Sequence, residues 1–160
     1  MLDDSFLKFL PAPLREPRRA WLAIPTGWAL SIAGSLALAT IFALLVPQLK
    51  GPEFPMKGWP ALLALVVFAP LVETLIMAGL IWLFERFLRT SHAIAASAIA
   101  WGVFHSSQAL GWGLVIWWPF LIFSTLYVVW RQRGFWTGVG VAAATHALQN
   151  LGPGIAVAFG

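Results

Sequence analysis

The sequence predicts an all-α protein, a polytopic transmembrane helix bundle of about five spans with its N-terminus cytoplasmic. Composition, apolar runs of membrane length and the placement of basic residues each point there. Of 160 residues, 60% are hydrophobic and only 10% are charged, with a mean hydropathy of +0.83. A soluble domain of this length has no use for so much apolar surface, so the bilayer must act as its solvent. The length fits one domain. Cysteine is absent, which excludes disulfides and thiolate chemistry. Lys and Arg outnumber Asp and Glu by 10 to 6, yet they sit in short clusters beside apolar runs. That pattern describes membrane topology, and no nucleic-acid partner is expected.

Residues 1–26 read as an interfacial basic arm. Pro11, Pro13, Pro17 and Pro25 interrupt helix formation, while Phe6, Phe9, Leu10 and Trp21 alternate with basic groups suited to anionic lipid. Residues 27–160 form the transmembrane domain. A spanning helix needs about 20 mostly apolar residues, and five runs qualify: 27–46, 60–83, 94–111, 112–130 and 135–158. The first is too long for a signal-peptide core and lacks a cleavage site, so it is read as retained. Its Gly27, Ser31, Ser35, Ala39 and Ala43 recur at every fourth position, a small-residue stripe for close helix contact. The third and fourth runs are joined so tightly at Gly111–Gly113 that they read equally as one hairpin turning just inside the bilayer. Lys8, Arg15, Arg18, Arg19, Arg86, Arg89, Arg131 and Arg133 fall on the N-terminal side, against Lys50 and Lys57 on the other, which sets the orientation. Trp21, Trp28, Trp59, Trp82, Trp112, Trp130 and Trp136 lie near span ends, where indoles prefer the headgroup level; Trp101 does not.

An ionisable side chain inside a span is costly, so each is a functional hypothesis by default. Glu73, His105 and His146 qualify. At 1.5 Å per residue, each stands about 15 Å from the cytoplasmic end of its run, so three helices place their deep ionisable group at one level. Asn150 follows His146 by four residues and shares its face, which Gly138 and Ala142 continue as a small-residue groove for a substrate strand. Trp101 shares a face with His105 by the same spacing. Pro70 precedes Glu73 by three residues and frees a backbone carbonyl one turn before itself. Glu85 and His92 fall in a basic loop and are expected to be solvated, and Ser124 and Thr125 to bond their own backbone.

A carboxylate with two imidazoles allows two chemistries. In one, Glu73 is general base to a trapped water with help from His105, while His146 and Asn150 stabilise an oxyanion, and no cofactor is needed. In the other, Glu73, His105 and His146 hold zinc. No HExxH helix is present and no further deep carboxylate remains to act as base, which favours the first.

These residues resemble three motifs of the CPBP family of glutamic intramembrane proteases, the CAAX prenyl endopeptidase and bacteriocin-processing group. The family shows Glu-Glu-xxx-Arg, aromatic-xxx-His and His-xxx-Asn on successive helices. Here they are Glu73 in APLVETLIMAGL, Trp101 to His105 in WGVFH, and His146 to Asn150 in HALQN, across residues 60–152. The second Glu is replaced by Thr74 and the Arg by Ala78. The resemblance implies water activation by Glu73 and His105 and an oxyanion hole of His146 and Asn150. The expected substrate is a membrane protein or a lipidated or hydrophobic peptide, cut in a bacterial plasma membrane from the bilayer or the cytoplasmic side. The family also gives rise to noncatalytic binders such as bacteriocin self-immunity proteins. A proton-linked transporter subunit would use the same Glu and His, but no inverted repeat supports it.

Overall fold

The computed structural model describes residues 2, 5–49 and 51–160, and no strand occurs among them. Lys50, counted above on the outer side, lies outside the described residues. A 3-10 turn (Phe6–Phe9) and α1 (Ala12–Arg15) lead into α2 (Ala20–Leu45). Beyond the 46–57 loop, α3 (Gly58–Leu63), a π-helical turn (Ala64–Phe68) and α4 (Ala69–Phe84) form one rod, followed by α5 (Thr90–Ser106), α6 (Leu110–Trp130), a 3-10 turn (Arg131–Arg133) and α7 (Phe135–Phe159). The long helical segments coincide with the five apolar runs. Among the described residues, three stretches are long and apolar enough to cross a membrane: Ala20–Leu45, Gly58–Phe84 and Leu110–Arg133. α5 has only 17 residues, many of them Ala and Ser.

α6 is the centre of the bundle. Its Phe120, Ile122, Phe123, Leu126, Val128 and Val129 are all buried, and it packs against α5, α2 and α7. Of the α2 small-residue stripe, Gly27 meets α6 and Ser31 is buried, whereas Ala39 and Ala43 are exposed, and Gly34, outside the stripe, completes the seam. A side chain on Gly27 would press on Leu126, Ile122 and Thr145, and one on Gly34 would overlap the Trp118 indole. That indole donates its Nε1 hydrogen to the Leu30 carbonyl at 2.8 Å, a bond reachable only because Gly34 carries no Cβ. Thr125 bonds its own backbone at Leu121 as expected, whereas Ser124 donates to the Ser97 hydroxyl of α5 instead.

The arm differs from its sequence reading. Leu2, Leu7, Leu10 and Leu14 are at most 2% exposed and belong to the central core, so the arm folds across the basic end of the bundle while Phe6 and Phe9 face outward. The prolines break it into short turns, and those turns direct the leucines inward. Pro25 does not delay α2, which starts at Ala20; so near a helix start it removes a single backbone bond. Glu85, expected in solvent, takes a 2.6 Å ion pair from Arg131 and ties the end of α4 to the end of α6. Trp130, expected at the headgroup level, is buried. Replacing Gly34 with Val should displace Trp118 and cost about 1–3 kcal/mol, the usual penalty of overpacking, read as a lowered unfolding midpoint in detergent; an unchanged midpoint would contradict this seam.

Candidate active site

The π-helical turn decides where the site forms. The Ala69 N–H reaches back five residues to the Ala64 carbonyl. The same register would hand the Leu65 carbonyl to residue 70, but Pro70 has no N–H to give. Leu65 therefore carries an orphan acceptor, and the Asn150 amide donates to it at 2.9 Å. α7 comes close enough because Gly154 faces Val66, where a Cβ would stand 2.8 Å from the valine methyl. The carbonyl freed by proline, anticipated from sequence, is thus already occupied by the polar end of the His-xxx-Asn motif.

This clamp brings Glu73 and His146 together, with His146 Nε2 3.7 Å from Glu73 Oε2 and side-chain exposures of 5% and 24%. His146 stacks on Phe123 at 4.5 Å and meets the edge of Phe120 at 5.3 Å. Its Nδ1 is buried without a partner. An orphaned lone pair against an aromatic ring costs less than an orphaned N–H, so the neutral ring carries its hydrogen on Nε2, facing Glu73. His105 has the opposite tautomer. Its Nδ1 lies 2.8 Å from the Trp101 carbonyl, which can only accept, leaving a lone pair on Nε2. One imidazole therefore presents a donor and the other an acceptor.

Glu73, His105, His146 and Asn150 all line one cavity of about 290 Å³. Leu65, Trp112, Ile116, Phe120 and Phe54 supply much of its apolar wall. Such a space has room for a water beside the carboxylate and for a peptide carbonyl near two N–H donors, Nε2 of His146 and the second amide hydrogen of Asn150. Among the described residues no group of three His, Cys, Asp or Glu side chains has an arrangement able to hold a metal ion.

Trp101, Gly138 and Ala142, expected to contact substrate, lie elsewhere. Trp101 is buried, stacked on Phe120 at 4.4 Å, and its carbonyl lies 2.8 Å from His105 Nδ1, so it backs the cavity wall without lining it. Gly138 abuts the Tyr127 carbonyl and Arg131 N, and Ala142 is fully buried. The small-residue face is filled by α6, because the groove that admits a backbone has admitted a helix of the same chain. Phe120, Phe123 and Trp112 were not anticipated, although Trp112, Ile116, Phe120 and Phe123 recur at helical spacing along one face of α6. Thr74 and Ala78 are buried, and the Thr74 hydroxyl has no partner.

The cavity also lies on the unexpected half of the bundle. On the rod none of its residues lies beyond Glu73, on α5 none precedes His105, on α6 none follows Phe120, and on α7 none precedes His146. It extends from the site toward the 46–57 loop, away from the basic end.

A carboxylate, two imidazoles and an amide are thus gathered in one cavity between apolar helices. A family model described as type II CAAX prenyl endopeptidase Rce1-like matches residues 55–152, and the chain belongs to that family, within the CPBP group its motifs resemble. The match takes in the rod, α5, α6 and α7 through Asn150, but neither the arm nor α2. No curated protein and no solved structure matches the chain.

If Asn150 clamps the carbonyl freed by Pro70, then Asn150→Ala should cost about 1–3 kcal/mol for the unsatisfied group. The cost should shrink when Pro70→Ala restores a backbone donor. Equal costs in the two backgrounds, measured by unfolding in detergent, would separate Asn150 from the π-turn.

Proposed function

We propose that the chain is an intramembrane endopeptidase of the CAAX-protease type, crossing a bacterial plasma membrane five times with its N-terminus cytoplasmic. It hydrolyses a peptide bond in a membrane protein or in a lipidated or hydrophobic peptide. The observation that carries this reading is the 3.7 Å approach of His146 Nε2 to Glu73 Oε2 in a cavity shared with His105 and Asn150.

Glu73 takes a proton from water while the His105 Nε2 lone pair holds that water by its other hydrogen. The oxygen attacks the scissile carbonyl, and the charge that develops is met by the His146 Nε2 hydrogen and an Asn150 amide hydrogen. Proton return from Glu73 to the leaving nitrogen completes the cleavage. Trp101 is a positioning residue, since its carbonyl fixes the His105 tautomer. Every step in this mechanism is assigned to side chains of the chain itself, and zinc held by Glu73, His105 and His146 is the alternative tested below.

A second reading, a noncatalytic membrane binder such as an immunity protein, is favoured by the neutral Thr74 and Ala78 in the first motif. Reconstituted protein offered hydrophobic and lipidated peptides separates the two. Glu73→Gln should lower cleavage by about 10²–10⁴-fold, the share of a general base, and His146→Ala by about 10²–10³-fold, the share of one oxyanion donor. Cleavage indifferent to both substitutions would remove this site. A chelator should leave activity unchanged, whereas loss restored by zinc would make Glu73, His105 and His146 ligands.

A further inference from the structure

We infer that the catalytic cavity faces the non-cytoplasmic side of the membrane and takes peptide segments presented there. The substrate clause rests on the peptidase reading above, whereas the facing of the cavity rests on geometry and charge alone.

Every helix that lines the cavity contributes residues only from the level of the site toward the 46–57 loop. Toward the basic end the interior is filled: Met77, Ile81, Ile94, Ala98, Phe123 and Leu126 are all buried. The arm then covers that end with Leu7, Leu10 and Leu14, all buried.

The cavity follows from unequal helix lengths. His105 is the penultimate residue of α5, and the turn to α6 sits at the level of the site, where the Trp112 ring meets the His105 ring at 4.4 Å. The rod and α7 run on for about 22 Å and about 20 Å beyond Glu73 and His146 at 1.5 Å per residue. The α5–α6 hairpin thus stops short, and the step it leaves is the cavity. The 46–57 loop roofs that step, with Pro52 and Phe54 in the wall and the Phe54 ring 5.7 Å from Trp112. The same Pro52 and Trp112 border a second cavity of about 280 Å³, lined by Phe42, Val46 and Val115. The loop therefore rests between two spaces instead of sealing a packed core.

Charge decides which side this is. Lys8, Arg15, Arg18, Arg19, Arg86, Arg89, Arg131 and Arg133 all belong to the arm and to the turns at the closed end. Basic flanks of short loops stay cytoplasmic, which puts the open half outside.

The absence of cysteine makes the test direct. Met56→Cys places an exposed thiol in the loop and Arg133→Cys one at the closed end. Bacterial spheroplasts expressing each are treated with a membrane-impermeant maleimide, then permeabilised and labelled again. The thiol at position 56 should react fully in intact spheroplasts and the one at 133 only after permeabilisation. The reverse pattern, or equal labelling of both before permeabilisation, would overturn the inference. A bulky maleimide at position 56 should also slow cleavage of an added peptide, and one at 133 should not. The labelling pattern without any cleavage would remove the peptidase reading and leave the facing of the cavity established.

Discussion

The hydrogen bond from Asn150 to the Leu65 carbonyl is the constraint on which the site depends. It exists because two irregularities coincide: a π-helical turn that shifts the backbone register, and a proline at the one position that register would call on for a donor. In hydrocarbon a free carbonyl costs several kcal/mol, so the rod and α7 are locked at one height and rotation. Glu73 follows Leu65 by two turns on the rod, and His146 precedes Asn150 by one turn on α7. Fixing the clamp therefore fixes the approach of carboxylate to imidazole. Gly154 lets the helices approach, since a Cβ there would press on Val66, Leu62 and Leu65.

Around this clamp the aromatic side chains of α6 do the remaining positioning. Phe120 contacts Trp101, His105 and His146 at once, and Phe123 lies flat on His146. Rings without polar atoms hold both imidazoles in place without offering them competing hydrogen bonds. The tautomers are then set by what each Nδ1 meets, a carbonyl for His105 and no partner for His146. The neutral pair Thr74 and Ala78 fits the same logic. Glu and Arg four residues apart would share a helix face, and losing one alone would bury an unpaired charge. Here both have given way to uncharged residues, and the helix keeps its packing.

The apolar runs were legible because hydrocarbon thickness dictates their length, and each became a helix or rod within a few residues of its expected place, α2 starting earlier. The small-residue stripe of α2 was legible only in part: Gly27 and Ser31 are buried, but Ala39 and Ala43 stay exposed, and Gly34, outside the stripe, makes the tighter approach to α6. Glu73, His105, His146 and Asn150 stood out because polarity in a span needs an explanation, and all four line one cavity. What escaped the sequence was contact made across helices. Trp112 and Trp130 read as interfacial rings, because a tryptophan near a run's end has the same sequence signature whether it turns to lipid or inward. Gly138 and Ala142 read as an open groove, because spacing shows that a face is narrow but not that α6 already fills it. The arm read as separate because its prolines broke the periodicity, while its leucines were reserving a place in the core.

The central claim is that Glu73 activates a water and does not itself attack the substrate. A single turnover of reconstituted protein in H₂¹⁸O, with mass spectrometry of both product and enzyme, tests this directly. Direct attack by water predicts ¹⁸O in the new carboxyl terminus of the product and none in Glu73. An unlabelled first product with ¹⁸O appearing in the Glu73 carboxylate would mean a covalent anhydride had formed there, and would contradict the account.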